Sequence, residues 1–186
     1  MIIKSFELNK IEYKEKFFLL YGENQGHKDE IIKNKFKKKY AECTYFYDEN
    51  QILNNQESFF NEILSKSFFE KEKLIIVNRA TDKITEIINE IIEKNISGLV
   101  LILNSNVLVK KSKLRNLFEK NKNAICVPFY EDNNQTLSAI AGLFFRKKKI
   151  SISNQMINLI TARSRGARQN LNNELKKIEN FVVNKN

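Results

Sequence analysis

The chain has 186 residues, of which 42% are hydrophobic and 29% charged; this balance excludes an intrinsically disordered chain and allows one domain with its own core, alone or with a small second domain. One proline and five glycines are too few for a turn-rich all-β fold. The net charge of +10 favours contact with a polyanion such as DNA or RNA, although an A/T-rich genome that encodes lysine frequently explains it equally well.

Five short runs of apolar, β-favouring residues follow one another along the first 130 residues. Stretches of helical spacing separate them, and the third of these stretches stops before Asn95 and Gly98. The predicted strands are residues 17–21, 44–47, 74–77, 99–103 and 124–127, and the predicted helices lie around residues 31–36, 59–64, 84–92 and 108–118. This alternation predicts an α/β fold, a parallel five-stranded sheet with flanking helices on both faces.

The pattern changes after Pro128, where no further strand run appears. Helical spacing resumes over residues 137–144, 156–160 and 171–181 and predicts a bundle of about three helices. We therefore expect an α/β domain over residues 1–130 and a small helical domain over residues 131–186, with the boundary near Glu131.

The stretch L-L-Y-G-E-N-Q-G-H-K after the first strand partly matches a phosphate-binding loop, G-x-x-x-x-G-K-[ST]. Gly22 and Lys28 have the required spacing. His27 occupies the second glycine position, with Gly26 one residue before it, and Asp29 replaces the hydroxyl residue that would bind Mg²⁺. A carboxylate there would repel phosphate, so Gly22, Gly26 and Lys28 are interpreted as a vestigial nucleotide loop.

The acidic partner of such a loop is also missing. An active enzyme of this class has an aspartate at the end of a later strand to hold Mg²⁺, whereas the third run ends in Asn78 and Arg79. Two independent failures make nucleotide hydrolysis the weaker interpretation. A strand-to-helix turn that needs glycine for its backbone is the simpler explanation of the motif.

Two further segments accompany this loop. Residues 67–77 read S-F-F-E-K-E-K-L-I-I-V and lead into the third strand, and residues 165–179 read R-G-A-R-Q-N-L-N-N-E-L-K-K-I-E. With F-F-L-L-Y-G-E-N-Q-G they resemble, in order and spacing, the delta subunit of the bacterial DNA polymerase III clamp loader, whose patterns are S-L-F-x-x-x-x-L and G-x-x-x-x-L-x-x-E-L-x-K-L. The three segments span nearly the whole chain.

The resemblance implies an AAA+-like fold that binds the sliding clamp (beta) and opens it during DNA replication without hydrolysing ATP. It implies no catalytic residue, cofactor or metal, and it implies tau/gamma, delta prime and primed DNA as partners within the polymerase holoenzyme. The clamp contact would fall on Phe68 and Phe69, with Ser67 and Leu64 beside them. Phe68 stands where the family usually has leucine, so this ring needs a roomier pocket on the clamp.

The residues themselves leave the role of the aromatic pair open. Adjacent side chains on a helix point about 100° apart, so Phe68 and Phe69 cannot both face one core. An exposed ring beside Lys66 and Glu70 would have the character of a hot spot within a polar rim. The alternative is that both rings are buried, one under the helix and one under the following loop.

Clusters of basic residues are candidate phosphate contacts, because such contacts need only a cation on an accessible face. The candidates for DNA contact are Lys110, Lys111, Lys113 and Arg115, which precede or open the helix after the fourth strand. Residues 146–149 form a further basic run, and Arg163, Arg165 and Arg168 crowd a predicted turn. Arg168 falls where related AAA+ proteins have an arginine that senses phosphate, and we interpret it as a relic. A solvated surface is the commoner role for such clusters.

Targeting features are absent from the sequence. The first ten residues mix charges too early for a signal peptide, and the longest apolar run, around residues 99–103, is far shorter than a membrane span. Cys43 and Cys126 lack the C-x-x-C spacing, and one histidine cannot make a metal site. We expect a cytoplasmic protein with two buried free thiols and no membrane contact.

Two other functions stay open at this point. A divergent ATPase would use Lys28, and a basic module that binds nucleic acid alone would show a steep salt dependence. Delta subunits also continue into a helical collar domain, which this sequence lacks, so we expect either a fragment or a version without the collar.

Overall fold

The computed structural model describes residues 1–8, 14–40, 43–65 and 72–183 of the protein. All five predicted strands are present and form one parallel sheet in the order β2-β3-β4-β1-β5. The strands are β1 (Phe17–Tyr21), β2 (Thr44–Asp48), β3 (Lys73–Asn78), β4 (Leu99–Ser105) and β5 (Ala124–Pro128). Four strands run one or two residues beyond the predicted bounds, because polar end residues such as Asp48 and Asn78 still pair in register.

The described residues also contain eight α-helices, five of them between the strands and three after β5. A π-helical segment (Ile32–Lys37) comes after α1, and a 3₁₀ turn (Asp82–Ile84) comes before α4. The helices are α1 (Gln25–Ile31), α2 (Glu49–Asn54), α3 (Gln56–Leu64), α4 (Thr85–Lys94), α5 (Lys113–Lys120), α6 (Asn134–Lys147), α7 (Asn154–Arg163) and α8 (Arg168–Val183). The predicted end of the third helix is confirmed: Asn95 is left-handed (φ 42°) and caps α4.

Three details of the helices differ from the prediction. The first helix begins earlier, at Gln25, and α2 was not predicted because its six residues are too short for periodicity to appear. Leu108 lies outside α5, since Ser112 caps that helix by accepting a hydrogen bond from the backbone of Arg115 (3.2 Å).

The sheet is covered on both faces because successive strand residues point to opposite sides. In β1, Phe17, Leu19 and Tyr21 join one core with residues of α3, α4 and α5. Phe18 and Leu20 join the second core, with Ile31, Ile32 and Phe36 among its members. Full burial of β1, β4 and most of β3 explains why their sequences are continuous apolar runs.

Contacts divide the chain into two compact units. The first comprises Met1–Glu23 and Lys28–Phe129, and the second comprises Asn24–His27 and Tyr130–Asn186. The second unit has its own core on α6, α7 and α8, formed by Leu137, Ala141, Phe145, Ile160, Leu171 and Leu175. The four residues of the glycine loop that belong to this unit lie far from it in sequence.

The two thiols differ from each other. Cys126 is buried in β5, whereas Cys43 is only half-buried, so the prediction of two buried thiols is wrong for Cys43. Burial raises the pKa of Cys126 to about 12. None of the described helices is long and apolar enough to cross a membrane.

Candidate functional site

Lys28 lies at the carboxyl edge of the sheet, where β1 and β4 end side by side. Ligands of doubly wound folds bind at this edge, in the crevice where the strand order switches. The Lys28 side chain is fully buried, and its ammonium donates hydrogen bonds to the backbone carbonyls of Gly22 (2.9 Å) and Ser105 (2.5 Å). The Lys28 ammonium, which would contact a phosphate in an active enzyme, is therefore hydrogen-bonded to backbone carbonyls at the ends of β1 and β4.

The surroundings of Lys28 do not fit a nucleotide. Burial lowers the pKa of Lys28 to about 8, although the neighbouring Asp29 carboxylate raises it in part. The backbone N–H of Gly22 donates to Asn106 (3.2 Å). A phosphate would have to replace both carbonyl partners of the ammonium and would meet a negative charge at Asp29.

Gly22 is required by the backbone. Its φ is +124°, and a β-carbon built on it would lie 2.2 Å from the carbonyl oxygen of Phe129. Gly26 has a different reason to be glycine, because a β-carbon there would lie 2.8 Å from the backbone nitrogen of Gln169. Both glycines therefore serve close packing of the chain against itself.

Asn78, at the end of β3, has an amide where an active enzyme would have an acid, and Asn104 lies beside it in β4. The side-chain amide of Asn104 donates to Oδ1 of Asn78 (3.1 Å). Among the described residues, Asn104 Oδ1 and Ser105 Oγ are buried without a hydrogen-bond partner. The neutral amides of Asn78 and Asn104 supply no charge to hold Mg²⁺, and the Asp48 carboxylate at the end of β2 is paired with Arg79 (2.6 Å).

Asp82, the first acid after β3, has a structural role. Its carboxylate accepts hydrogen bonds from the Ser112 hydroxyl (2.5 Å) and the Leu114 backbone (3.0 Å) at the start of α5. Burial favours the protonated acid, but these hydrogen bonds outweigh burial and keep the pKa of Asp82 below its usual value. Across the described ranges, no group of three or more histidine, cysteine or acidic side chains could hold a metal ion.

Arg168, the first residue of α8, forms a buried ion pair. Its Nε donates to Asp132 Oδ2 (2.7 Å) and its Nη2 donates to Asp132 Oδ1 (2.6 Å), which is the two-pronged geometry of a strong arginine–carboxylate pair. Both side chains are less than one-tenth exposed. Arg163 and Arg165, from the same predicted cluster, are exposed. The structure thus separates the three arginines of that cluster.

The segment that carries Ser67, Phe68 and Phe69 lies outside the described residues, but both of its ends are described. Helix α3 ends at Leu64, whose side chain is 49% exposed, while the preceding Ile63 belongs to the core. The segment is followed by Glu72 and then by β3. The exposed Leu64 side chain is therefore accessible to a partner, and the clamp contact expected there stays a prediction.

Lys73 fixes the two ends of this segment to each other. Its ammonium donates to the backbone carbonyls of Glu62 (2.7 Å) and Ser65 (3.1 Å), at the end of α3. The Lys73 ammonium also lies 5.1 Å from the centre of the Tyr45 ring. The end of α3 and the start of β3 are therefore hydrogen-bonded to each other.

The four candidate DNA contacts have different environments. Lys110, Lys111 and Lys113 are exposed, at the end of a loop and the start of α5. Arg115 is half-buried: it pairs with Glu119 (2.7 Å), donates to the Leu108 carbonyl (3.2 Å) and lies over the Tyr21 ring. The hydrogen bond that Arg115 donates to the Glu119 carboxylate raises the pKa of Arg115. Arg115 is therefore held by its own domain.

Sequence reasoning missed the roles of two residues, Asp132 and Lys73. Asp132 stands alone in a polar stretch after β5, and nothing in that stretch predicts a partner 36 residues further on. Lys73 is a charged residue at the first position of a strand, where a solvated side chain is the usual expectation. Only the fold brings their partners into reach.

A five-stranded parallel sheet with a glycine turn after β1, followed by a unit of three helices, defines an AAA+-like fold. Solved structures agree: the chain is similar to Thermotoga maritima RuvB, with a TM-score of 0.61 at 15% identity over 90% of this chain and 56% of that one. The sequence profile of the DNA polymerase III delta subunit matches residues 18–129, and the chain belongs to this family.

A delta subunit of known structure is similar to nearly the full length of this chain. The Bacillus subtilis DNA clamp loader delta protein (YqeN) matches with a TM-score of 0.57 at 15% identity, over 96% of this chain. The chain spans 57% of the length of that protein. None of the curated proteins matches the sequence.

Proposed function

We propose that the chain acts as a clamp-loader delta subunit that binds the sliding clamp through Phe68 and Phe69 and opens it. The observation that carries this proposal is the family match over residues 18–129, which includes the aromatic pair. The pair comes shortly after the end of α3 in the sequence, and the exposed Leu64 at the end of that helix extends the apolar surface available to a partner. Aromatic residues at such positions dominate the affinity of protein interfaces.

The base of the segment supports this role. Because Lys73 joins the end of α3 to the start of β3, the chain between them begins and ends at fixed points. A binding segment held at both ends loses less conformational freedom on binding than a free one. Ser67 lies within this segment and belongs to the proposed contact.

The proposed subunit does not hydrolyse ATP. Lys28 is bound to backbone carbonyls, Asp29 occupies the hydroxyl position, and amides stand where the acid for Mg²⁺ would be. Each of these features removes a part that phosphoryl transfer needs. The interpretation as a divergent ATPase is therefore weaker than before.

Assembly belongs to the same proposal. The tau/gamma and delta prime subunits, the beta clamp and primed DNA are the proposed partners within the polymerase holoenzyme. Support for these partners comes from the family match alone. The chain spans 57% of the Bacillus subtilis delta protein, so the partners of a whole delta subunit are a proposal for this chain.

The test of clamp binding removes both rings. We expect Phe68→Ala/Phe69→Ala to weaken binding to the clamp of the same organism by at least about 2 kcal/mol, roughly 30-fold, because two hot-spot side chains are lost. Titration calorimetry or surface plasmon resonance measures this change. The matched control is Phe181→Ala, which removes a ring that is 61% exposed in the second unit. Equal affinity of the double variant and the wild type would contradict the proposal.

A second activity, contact with DNA, is favoured by one observation. Lys110, Lys111 and Lys113 are exposed together on one short stretch and therefore have the accessibility that phosphate contacts need. Arg115 was grouped with them in the sequence, but its guanidinium is held by Glu119, so we propose the three lysines as the primary contacts.

A further inference from the structure

The loop that resembles a phosphate cradle holds a carboxylate. Asn24, in the middle of that loop, donates from its side-chain amide to Asp132 Oδ2 (2.8 Å) and to the Tyr130 carbonyl (3.0 Å). The same Oδ2 accepts from Arg168, and the Asn24 side chain also accepts from the backbone of His27 (3.0 Å). All of these residues belong to the second unit.

The charges of this cluster are those of an anion site that is filled. Burial and the nearby Arg168 charge together lower the pKa of His27 to about 4, against the opposing effect of Asp132, so the imidazole is neutral at pH 7. Burial favours protonation of Asp132, but the hydrogen bonds from Arg168 and Asn24 outweigh it and keep the pKa of Asp132 below its usual value. One buried arginine is thus balanced by one buried carboxylate.

A carboxylate and a phosphate are interchangeable ligands for such donors in chemical terms. Arginine binds either group through two parallel N–H···O bonds, and a side-chain amide donates to either. Asp132 has both oxygens engaged, as a bound phosphate would have two of its own. The loop residues and Arg168 therefore have the donors of a phosphate site, and the anion comes from the chain itself.

We propose that Asp132 is a built-in anion that closes a phosphate-binding site formed by Asn24 and Arg168. Removal of the carboxylate opens this site to inorganic phosphate or to the phosphates of ATP. The inference deepens the part of the proposed function that concerns nucleotides, and it does not depend on clamp binding.

The test is chemical rescue of Asp132→Ala in the full chain. At about 20 mM inorganic phosphate, against sodium chloride of equal ionic strength, we expect the melting temperature of this variant to rise by roughly 3 to 5 °C. Formate, which replaces the lost carboxylate, should act similarly, and magnesium-free ATP should act if the site admits a nucleotide. Wild type should show no such difference.

Two control variants separate this result from surface binding of anions. Asp132→Asn fills the space with a neutral group, and Asp132→Ala/Arg168→Gln removes the arginine that would receive the anion; neither should respond to phosphate. If Asp132→Ala is unfolded in chloride, phosphate should restore its far-ultraviolet circular dichroism, and Asp132→Ser provides a second variant with space and a hydroxyl.

Each possible result either supports or overturns the inference. Rescue of Asp132→Ala or Asp132→Ser by phosphate, absent in the wild type and in the two controls, supports the inference. An equal response of all variants, a response to formate only, or no response in either opened variant overturns it. The clamp is not used in these measurements. A failure of this inference can therefore be distinguished from a failure of the proposed clamp contact.

Discussion

Two buried cations of this chain have their partners within the chain itself. Lys28 donates to two carbonyls, and Arg168 is paired with Asp132. Leaving a buried charge without a partner costs several kcal/mol. Lys28 and Arg168 therefore restrict which substitutions their neighbouring residues tolerate. Both cations that could contact a phosphate are thus bound to other groups of the chain.

The buried ammonium of Lys28 predicts an unusual pH dependence. With a pKa of about 8 in the folded state against 10.5 in the unfolded state, the unfolded chain binds more protons between these values, so stability rises with pH. Relative to Lys28→Met, the wild type should gain about 2 kcal/mol in unfolding free energy between about pH 7.5 and 9.5. Urea denaturation of both proteins at the two pH values measures the gain. A constant difference between them would show that burial does not penalise this charge.

The sequence alone led to the interpretation of this loop as vestigial, but it did not reveal the contacts of Lys28 or Arg168. The mismatches at His27 and Asp29 already indicated a vestigial loop, because they are differences of residue type. The partners of Lys28 are backbone carbonyls, which every residue has and which therefore leave no trace in a sequence. The carboxylate that binds Arg168 was hidden for a related reason, since its position depends on the fold.

At the level of elements, the strands were predictable and the short helices were not. Five apolar runs became five strands. Strands β1, β3, β4 and β5 are buried along most of their length and so have little room for polar residues, whereas β2 is only half-buried. Helix α2 begins after Asp48, whose backbone N–H donates to the Gln51 side chain (2.8 Å), a capping signal that was available in the sequence. The π-helical segment gave no such signal.

Lys73 allows a prediction about the segment between α3 and β3. Lys73→Met keeps the length of the side chain but removes the hydrogen bonds to Glu62 and Ser65, so the ends of the segment are no longer joined. We expect clamp affinity to fall by about 1 kcal/mol, roughly fivefold, with Phe68 and Phe69 unchanged. Surface plasmon resonance well below the melting temperature measures it.

The control for this variant must be equally destabilised elsewhere. Ile91→Val truncates a fully buried core side chain of α4 and should cost about 1 kcal/mol of stability. Clamp affinity should be unchanged in this control. If both variants lose affinity equally, Lys73 acts through general stability and does not position the segment.

At the level of the whole molecule, the contacts divide the chain between Phe129 and Tyr130 and also assign Asn24–His27 to the helical unit. The sequence-based domain boundary near Glu131 stays a prediction. No reading of periodicity could have assigned four loop residues to a unit that begins more than 100 residues later, because this depends on three-dimensional contacts. The net charge of +10 is the other property of the whole chain, and its meaning depends on where the lysines lie.

A charge-matched pair of variants tests the DNA contact. Changing Lys110, Lys111 and Lys113 to glutamine should lower affinity for a primed duplex at least about tenfold and reduce the salt slope by about 2 to 3, because roughly one counterion is released per phosphate contact. The control changes Lys33, Lys38 and Lys176, which are also exposed. Fluorescence anisotropy at several salt concentrations measures both. Equal losses would mean that net charge alone attracts DNA.

The hydrogen bonds of the Lys28 ammonium have a consequence for how the sheet responds to nucleotides. It already joins the ends of β1 and β4, so this junction is closed without a cofactor. A polyphosphate that arrived there would have to break two buried hydrogen bonds before it formed any of its own. We therefore expect the sheet to keep one shape whatever the ratio of ATP to ADP in the cell, and a signal about energy supply would have to come from a neighbouring protein.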